Sequence, residues 1–142
     1  MKVRIRRIDK SLPLPEYHTE GAVAFDLYIS KDVTLEAGEL KLLPTNLIIE
    51  VPAGHMLMLA ARSGLSKRGL RFSNGVGIID QDYHGPEDEL HLLVTNFSKA
   101  QVDIKRGDRL GQGIIVPIER AEWEEVDALG KKTRGGFGTT GH

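Results

Sequence analysis

Along most of the chain, apolar and polar residues alternate or cluster in runs too short to make helices. Residues 2–8 set Lys2, Arg4 and Arg6 against Val3 and Ile5, the period-two pattern of a strand with one face in water. Ala22 to Tyr28 reads as a second strand, with Asp26 among apolar neighbours. A carboxylate so placed either faces solvent or has a task. Val33 to Leu35, the turn Glu36-Ala37-Gly38-Glu39 and Leu40 to Val51 read as a hairpin, with Pro44 marking an edge or a bulge. Met56 to Ala61 is almost continuously apolar and predicts a central strand. Asn74 to Gly85 reads as a further hairpin, in which Ile78 and Ile79 return the chain to a buried strand. Leu90 to Thr95, Gln101 to Lys105, Arg109 to Ile118 and Glu119 to Val126, the last containing Trp123, complete the set. No segment sustains a 3.6-residue period; Leu65 to Leu70 suits one helical turn. About ten short strands at spacings near ten residues predict an all-β sandwich, jelly roll or barrel.

Composition narrows this little. The 142 residues suffice for one domain, burying about 70% of the surface its unfolded chain exposes. Nineteen basic against twenty acidic residues leave no overall field for nucleic acid or an anionic membrane, so neither is expected as a partner. There are no cysteines, which excludes disulfides and thiolate metal sites. No apolar run approaches the roughly 18 residues that span a bilayer, and Met1 to Ile8 is too charged for a signal peptide. The expectation is a soluble, cytoplasmic protein.

Three stretches carry chemistry. In Asn74-Gly75-Val76-Gly77-Ile78-Ile79 the two glycines let the backbone approach a ligand. Asp80, Asp82 and Tyr83 follow, closed by Gly85, which suits a general base beside a bound ligand and equally suits a solvated acidic turn. A calcium loop is excluded, because His84 and His91 stand where oxygen ligands are needed. Arg62-Ser63-Gly64-Leu65-Ser66-Lys67-Arg68 combines charge, hydroxyl and amide donors fit for phosphate oxygens, or makes a cationic surface turn. The last sixteen residues, Asp127 to His142, hold five glycines and cannot bury a core of their own. Phe137, beside Arg134, Gly138 and Thr139, has the parts to stack on a base, worth about 1–3 kcal/mol, and to grip phosphate.

Together these pieces resemble the homotrimeric dUTP diphosphatase (dUTPase) family over nearly the whole chain. Ala24-Phe25-Asp26-Leu27-Tyr28 is similar to its first motif, Arg62-Ser63-Gly64-Leu65 to its second and Asn74 through Gly85 to its third. Gly107-Asp108-Arg109-Leu110-Gly111-Gln112 is similar to the fourth, and Arg134 through Gly141 to the fifth. The resemblance implies a distorted jelly-roll barrel of the dUTPase-like (β-clip) type over residues 1–126. It also implies a flexible arm over residues 127–142 that closes over a site, that of a neighbouring subunit. The implied reaction is hydrolysis of dUTP to dUMP and pyrophosphate with Mg²⁺, which limits uracil in DNA and supplies dUMP for thymidylate synthesis. Asp80 is the implied general base, with Arg62, Ser63, Gly64 and Gln112 on phosphate oxygens and the attacking water. Asn74 and the backbone of Gly75, Val76, Gly77, Ile78 and Ile79 are implied to read uracil, and Tyr83 to exclude a 2′-hydroxyl. Phe137 is implied to cap the base while Arg134, Gly138 and Thr139 hold the outer phosphates. No protein ligand to the metal is implied, with Asp26 a candidate through water.

The chain departs from the family pattern in three places. Arg134 precedes Phe137 by three residues rather than five, and Lys132 occupies the five-before position. Pro86-Glu87-Asp88 lengthens the loop after Gly85, and Gly111 and Gly113 flank Gln112 where bulkier residues are usual. Two alternatives remain on the same fold. A dCTP deaminase needs a glutamate where Leu93 stands, and a non-catalytic nucleotide-binding module needs none of the reactive positions.

Overall fold

In the computed structural model, residues 1–139 are described. Among them are eleven strands, β1 (Ile5–Arg7), β2 (Phe25–Tyr28), β3 (Val33–Leu35), β4 (Leu40–Pro44), β5 (Leu47–Ile49), β6 (His55–Ala61), β7 (Leu70–Phe72), β8 (Gly77–Ile79), β9 (His91–Asn96), β10 (Val102–Ile104) and β11 (Arg109–Pro117). A 3-10 helix, Leu65–Arg68, supplies the expected helical turn. All pairings are antiparallel, in sheets ordered β2-β11-β6-β8 and β4-β9-β7 and in the pairs β1-β5 and β10-β3. The architecture is all-β and of the jelly-roll type. None of the described helices is long and apolar enough to cross a membrane.

The two larger sheets close over one core. Leu27, Leu57, Leu59 and Leu110 meet Leu43, Leu70, Leu92 and Val94, all fully buried or nearly so. β6 is central as expected, flanked by β11 and β8. Leu57 and Leu59 point inward, whereas Met56, Met58 and Ala60 are half-buried on the outer face. That outer face continues into Ile114 and Val116, paired with Met58 and Met56.

Three sequence expectations fail. Val33 to Val51 is not a hairpin: β3 pairs with β10, and β4 with β9. The turn at Gly38 sends the chain across the sheets, where the Gly38 amide donates to the Asn96 carbonyl at 2.8 Å. Leu40 to Val51 is two strands, because Asn46 adopts φ 73° and breaks the ladder just after Pro44 on an edge strand. The second hairpin fails as well, since β7 pairs with β9 and β8 with β6, in different sheets. Period-two patterning specifies faces, not partners. β8 is an edge strand, so Ile78, expected inside, is 53% exposed while Ile79 packs on the core. Finally, Glu119 to Val126 forms no strand, and Trp123 is 93% exposed. Its run of charged residues gives no apolar face for this chain to cover.

Candidate functional site

Asp26, Gln112 and Ala60 stand in one row across β2, β11 and β6. The row lies on the outer face of the sheet, and Arg62, two residues past Ala60, follows on the same side. Asp26 is buried, yet its carboxylate is not alone. Arg62 Nε lies 3.0 Å from Oδ1, and Arg109 Nη1 lies 3.1 Å from Oδ2. His18 Nε2 is 3.2 Å from the same Oδ2 and 3.1 Å from Arg109 Nη1. A register shift between Arg109 and Gly111 aims Arg109 back at β2. Arg62 is fixed further: its amide donates to the Leu110 carbonyl at 3.1 Å and its Nη1 to the Arg109 carbonyl at 3.3 Å.

Around this cluster is a cleft of about 270 Å³ that also takes in Ser63, Gln112, Thr19, Ala22 and Ala24. Ser63 is exposed at its mouth, and Gly64 caps the 3-10 helix that Leu65 pins into the core. Gln112 Nε2 donates to the Ala61 carbonyl at 3.1 Å. Two guanidiniums against one carboxylate leave the cleft net positive, with hydroxyl and amide donors beside the charge. That donor set fits phosphate oxygens.

Asp80 is elsewhere. It lines a second cleft, of about 480 Å³, with His55, Met56, Gln81, Asp82, Ile118 and Arg120. Continuing the β8 register from Ile79 opposite Leu57 sets Asp80 level with Met56, whereas Gln112 is level with Ala60. Four residues separate those levels, about 13 Å along β6, and the two residues lie on opposite sides of that strand. Asn74 is exposed at the turn into β8, where Gly75 takes φ 73°. Gly77 lies close on Leu59, whose Cβ would stand 3.2 Å from a Cβ added there. Tyr83 is part-exposed in the loop after Asp80, its hydroxyl donating to the Glu89 carbonyl at 3.2 Å.

Among the described residues, the segment from Asp127 onward lines neither cleft. Gly135, Phe137 and Gly138 take φ 82°, 49° and 84°, and the Gly136 amide donates to Thr139 Oγ1 at 2.6 Å. Arg134 and Phe137 are exposed; Thr140, Gly141 and His142 lie outside the described residues. The sequence-predicted residues therefore fall into three groups: Asp26 with Arg62, Ser63, Gly64 and Gln112; Asn74 to Ile79 with Asp80 and Tyr83; and Arg134 with Phe137, Gly138 and Thr139.

The dUTPase family model matches residues 10–141. The chain belongs to the dUTPase family. Among curated relatives it is 43% identical to the deoxyuridine 5'-triphosphate nucleotidohydrolase of Finegoldia magna over 148 residues, covering 100% of both chains. With that of Nautilia profundicola it shares 38% over 144 residues, covering 99% of each. The crystal structure of the Streptococcus mutans dUTPase is similar, with TM-score 0.78 and 29% identity over 84% of this chain and 98% of that one. The dUTPase of Staphylococcus bacteriophage 80alpha, in a structure with dUpNHpp, shares the fold at TM-score 0.88 and 23% identity, covering 99% of each chain. As a dUTPase, the chain is a hydrolase of nucleotide metabolism, of the dUTP diphosphatase type.

Two of the residues that contact Asp26 in this dUTPase's cationic cleft went unassigned by sequence reasoning. Arg109 stood inside the fourth motif, and its meaning comes from a bulge that no pattern announces. His18 lies in an irregular segment and gave no signal at all. Among the described residues no three His, Cys, Asp or Glu side chains converge to cage a metal. Asp26, the carboxylate in the cationic cleft, has both oxygens engaged by arginines, so it offers a poor direct ligand to a metal.

Proposed function

We propose that this dUTPase hydrolyses dUTP to dUMP and pyrophosphate in the cytoplasm as a homotrimer whose sites are each shared between subunits. Family membership over residues 10–141 supports the reaction. The observation that carries the shared site is the separation of Asp80 from Gln112. A base and the donors that orient its water must converge within hydrogen-bond reach of one phosphorus. Within one chain they stand in different clefts about 13 Å apart along β6, so a second copy must bring one of them. Assembly also gives the outer face of Met56, Met58, Ile114, Val116 and exposed Ile78 something to cover it.

In that assembly Asp80 of one copy takes a proton from the water that attacks the α-phosphorus, a role worth typically 10²–10⁴-fold. Arg62, Ser63, the Gly64 backbone and Gln112 of another copy hold phosphate oxygens and the water, on the frame that Asp26 gives Arg62 and Arg109. Mg²⁺ held through the triphosphate and water would supply charge neutralisation at the phosphates, beside the donors of Arg62, Ser63 and Gln112. Asn74 and the Gly75 to Ile79 backbone read the uracil edge, and Tyr83 packs under the deoxyribose. The 1–126 domain supplies these parts. The arm, 127–142, lays Phe137 over the base and Arg134, Gly138 and Thr139 over the outer phosphates.

Exchange of Asp80 for Asn tests the assignment. Turnover should fall by at least about 10²-fold while calorimetry still detects dUTP binding; unchanged turnover would show that Asp80 is not the base. Light scattering tests the assembly, and a fully active monomer would refute it.

A further inference from the structure

We propose that Asp88 and Glu89, in and just beyond the stretch that lengthens the loop after Gly85, are positioning residues that lock Tyr83 and so set discrimination between deoxyribose and ribose. The proposal rests on the role given to Tyr83 above.

Tyr83 is tied at both ends. Its amide donates to the Asp80 carbonyl at 3.3 Å and its hydroxyl to the Glu89 carbonyl at 3.2 Å. Everything that fixes Glu89 therefore fixes the far edge of the ring. Glu89 Oε1 accepts from the Asn46 amide at 2.8 Å. Asn46 is itself rigid: buried, at φ 73°, with Nδ2 donating to the Asp9 carbonyl at 2.8 Å and Oδ1 accepting from the Asp9 amide at 2.6 Å. Immediately after Glu89, buried Leu90 donates its amide to the Leu47 carbonyl at 2.8 Å and accepts Thr45 Oγ1 at 2.7 Å. The loop is thus bolted at one end to the β4–β5 connection.

The other acid closes the added turn upon itself. Asp88 Oδ2 accepts from the Gly85 amide at 2.7 Å, and the Asp88 amide donates to the Gly85 carbonyl at 3.1 Å. A Cβ at Gly85 would stand 2.9 Å from that Oδ2, so a side chain there would push the carboxylate off its bond. From outside, Arg6 Nη1 reaches the Pro86 carbonyl at 3.3 Å. Both carboxylates are spent on backbone N–H groups of the loop and its anchor.

Exclusion of a 2′-hydroxyl by an aromatic ring is steric, and a small displacement of the ring admits it. Asp88→Ala and Glu89→Ala should each lower the ratio of kcat/KM for dUTP to that for UTP on the order of tenfold, mainly through KM. They should also speed hydrogen exchange at the Tyr83 and Gly85 amides. Glu89→Gln keeps an acceptor for Asn46 and should restore the ratio, and Glu89→Ala should add nothing in a Tyr83→Ala background. Asp88 lies in a surface loop, so its variant remains informative if Glu89→Ala folds poorly. Tyr83→Ala separates the two possible failures. A ratio intact in that variant overturns the role of Tyr83, and unchanged amide exchange in the acid variants then overturns the lock as well. A ratio lost in Tyr83→Ala but unmoved in both alanine variants overturns the lock alone.

Discussion

The ring of Phe25 occupies the space that a Cβ on Gly113 would need, with Cε2 and Cζ both 2.5 Å from that position. Gly113 and Phe25 are cross-strand partners, and the next pair along is Gln112 opposite Asp26. Gly111 repeats the arrangement against Leu92 Cδ1 at 2.8 Å and Phe72 Cζ at 3.0 Å. The two glycines let β11 close on the core while Gln112, between them, turns out to the cleft. Bulkier neighbours would push the strand away from the residues it presents.

Gly113→Ala should therefore cost about 1–3 kcal/mol by overpacking, because the Phe25 ring is itself held edge-on by Tyr17 at 5.8 Å. Urea denaturation measures the loss. A variant as stable as the parent would show that the ring has room to move.

Asp26→Asn leaves Arg62 and Arg109 facing each other without their counter-charge. Removing one partner of a fully buried pair costs several kcal/mol, but these arginine side chains are 37% and 39% exposed. Solvent screening reduces the expected cost to about 1–3 kcal/mol. Denaturation at low and high salt checks it: the loss should shrink as salt screens the two cations.

Much of this was legible in the residues. Short apolar runs bounded by turns gave the all-β class, and Met56 to Ala61 gave the central strand, because a strand flanked on both edges, with one face in the core and the other half-buried, leaves a direct compositional trace. Strand partners were not legible. The Gly38 turn and the Ser73 to Val76 turn both carry the chain between sheets, and hydrophobic alternation is silent about that choice. The separation of Asp80 from Gln112 likewise left no trace in the hydrophobic pattern, since it depends on which edge of β6 each strand takes; only the family resemblance, with its shared sites, pointed to it. Arg109 and His18 joined the cleft through a bulge and a loop, features with no periodic signature.

Asp103 gives the acid side of the stability curve a defined contributor. Its carboxylate accepts from Thr34 Oγ1 at 2.8 Å and Gln101 Nε2 at 3.1 Å, and those bonds, Thr34 first, hold its pKa below the ordinary value. A group whose pKa is lower when folded stabilises above its unfolded pKa, about 3.9 for aspartate, and the benefit disappears as pH falls through the folded value. Asp103→Asn should be less stable than the parent near neutral pH and converge with it at strongly acidic pH. Parallel curves across that window would contradict the assignment.

Removal of residues 127–142 should leave the domain intact. The described residues of the segment are almost all exposed, so the stability change should stay within about 0.5 kcal/mol. Turnover should nonetheless collapse if the arm covers the bound nucleotide. A truncated chain that keeps full activity would remove Phe137 and Arg134 from the site.

The most direct test of the whole account is pyrophosphate release in the presence of Mg²⁺, with dUTP, dCTP, dTTP and UTP offered in parallel to the full-length chain. Rapid release from dUTP and little from the other three is the predicted result. Equal release from dUTP and UTP would contradict the role of Tyr83, and no release from any of them would contradict the catalytic reading itself.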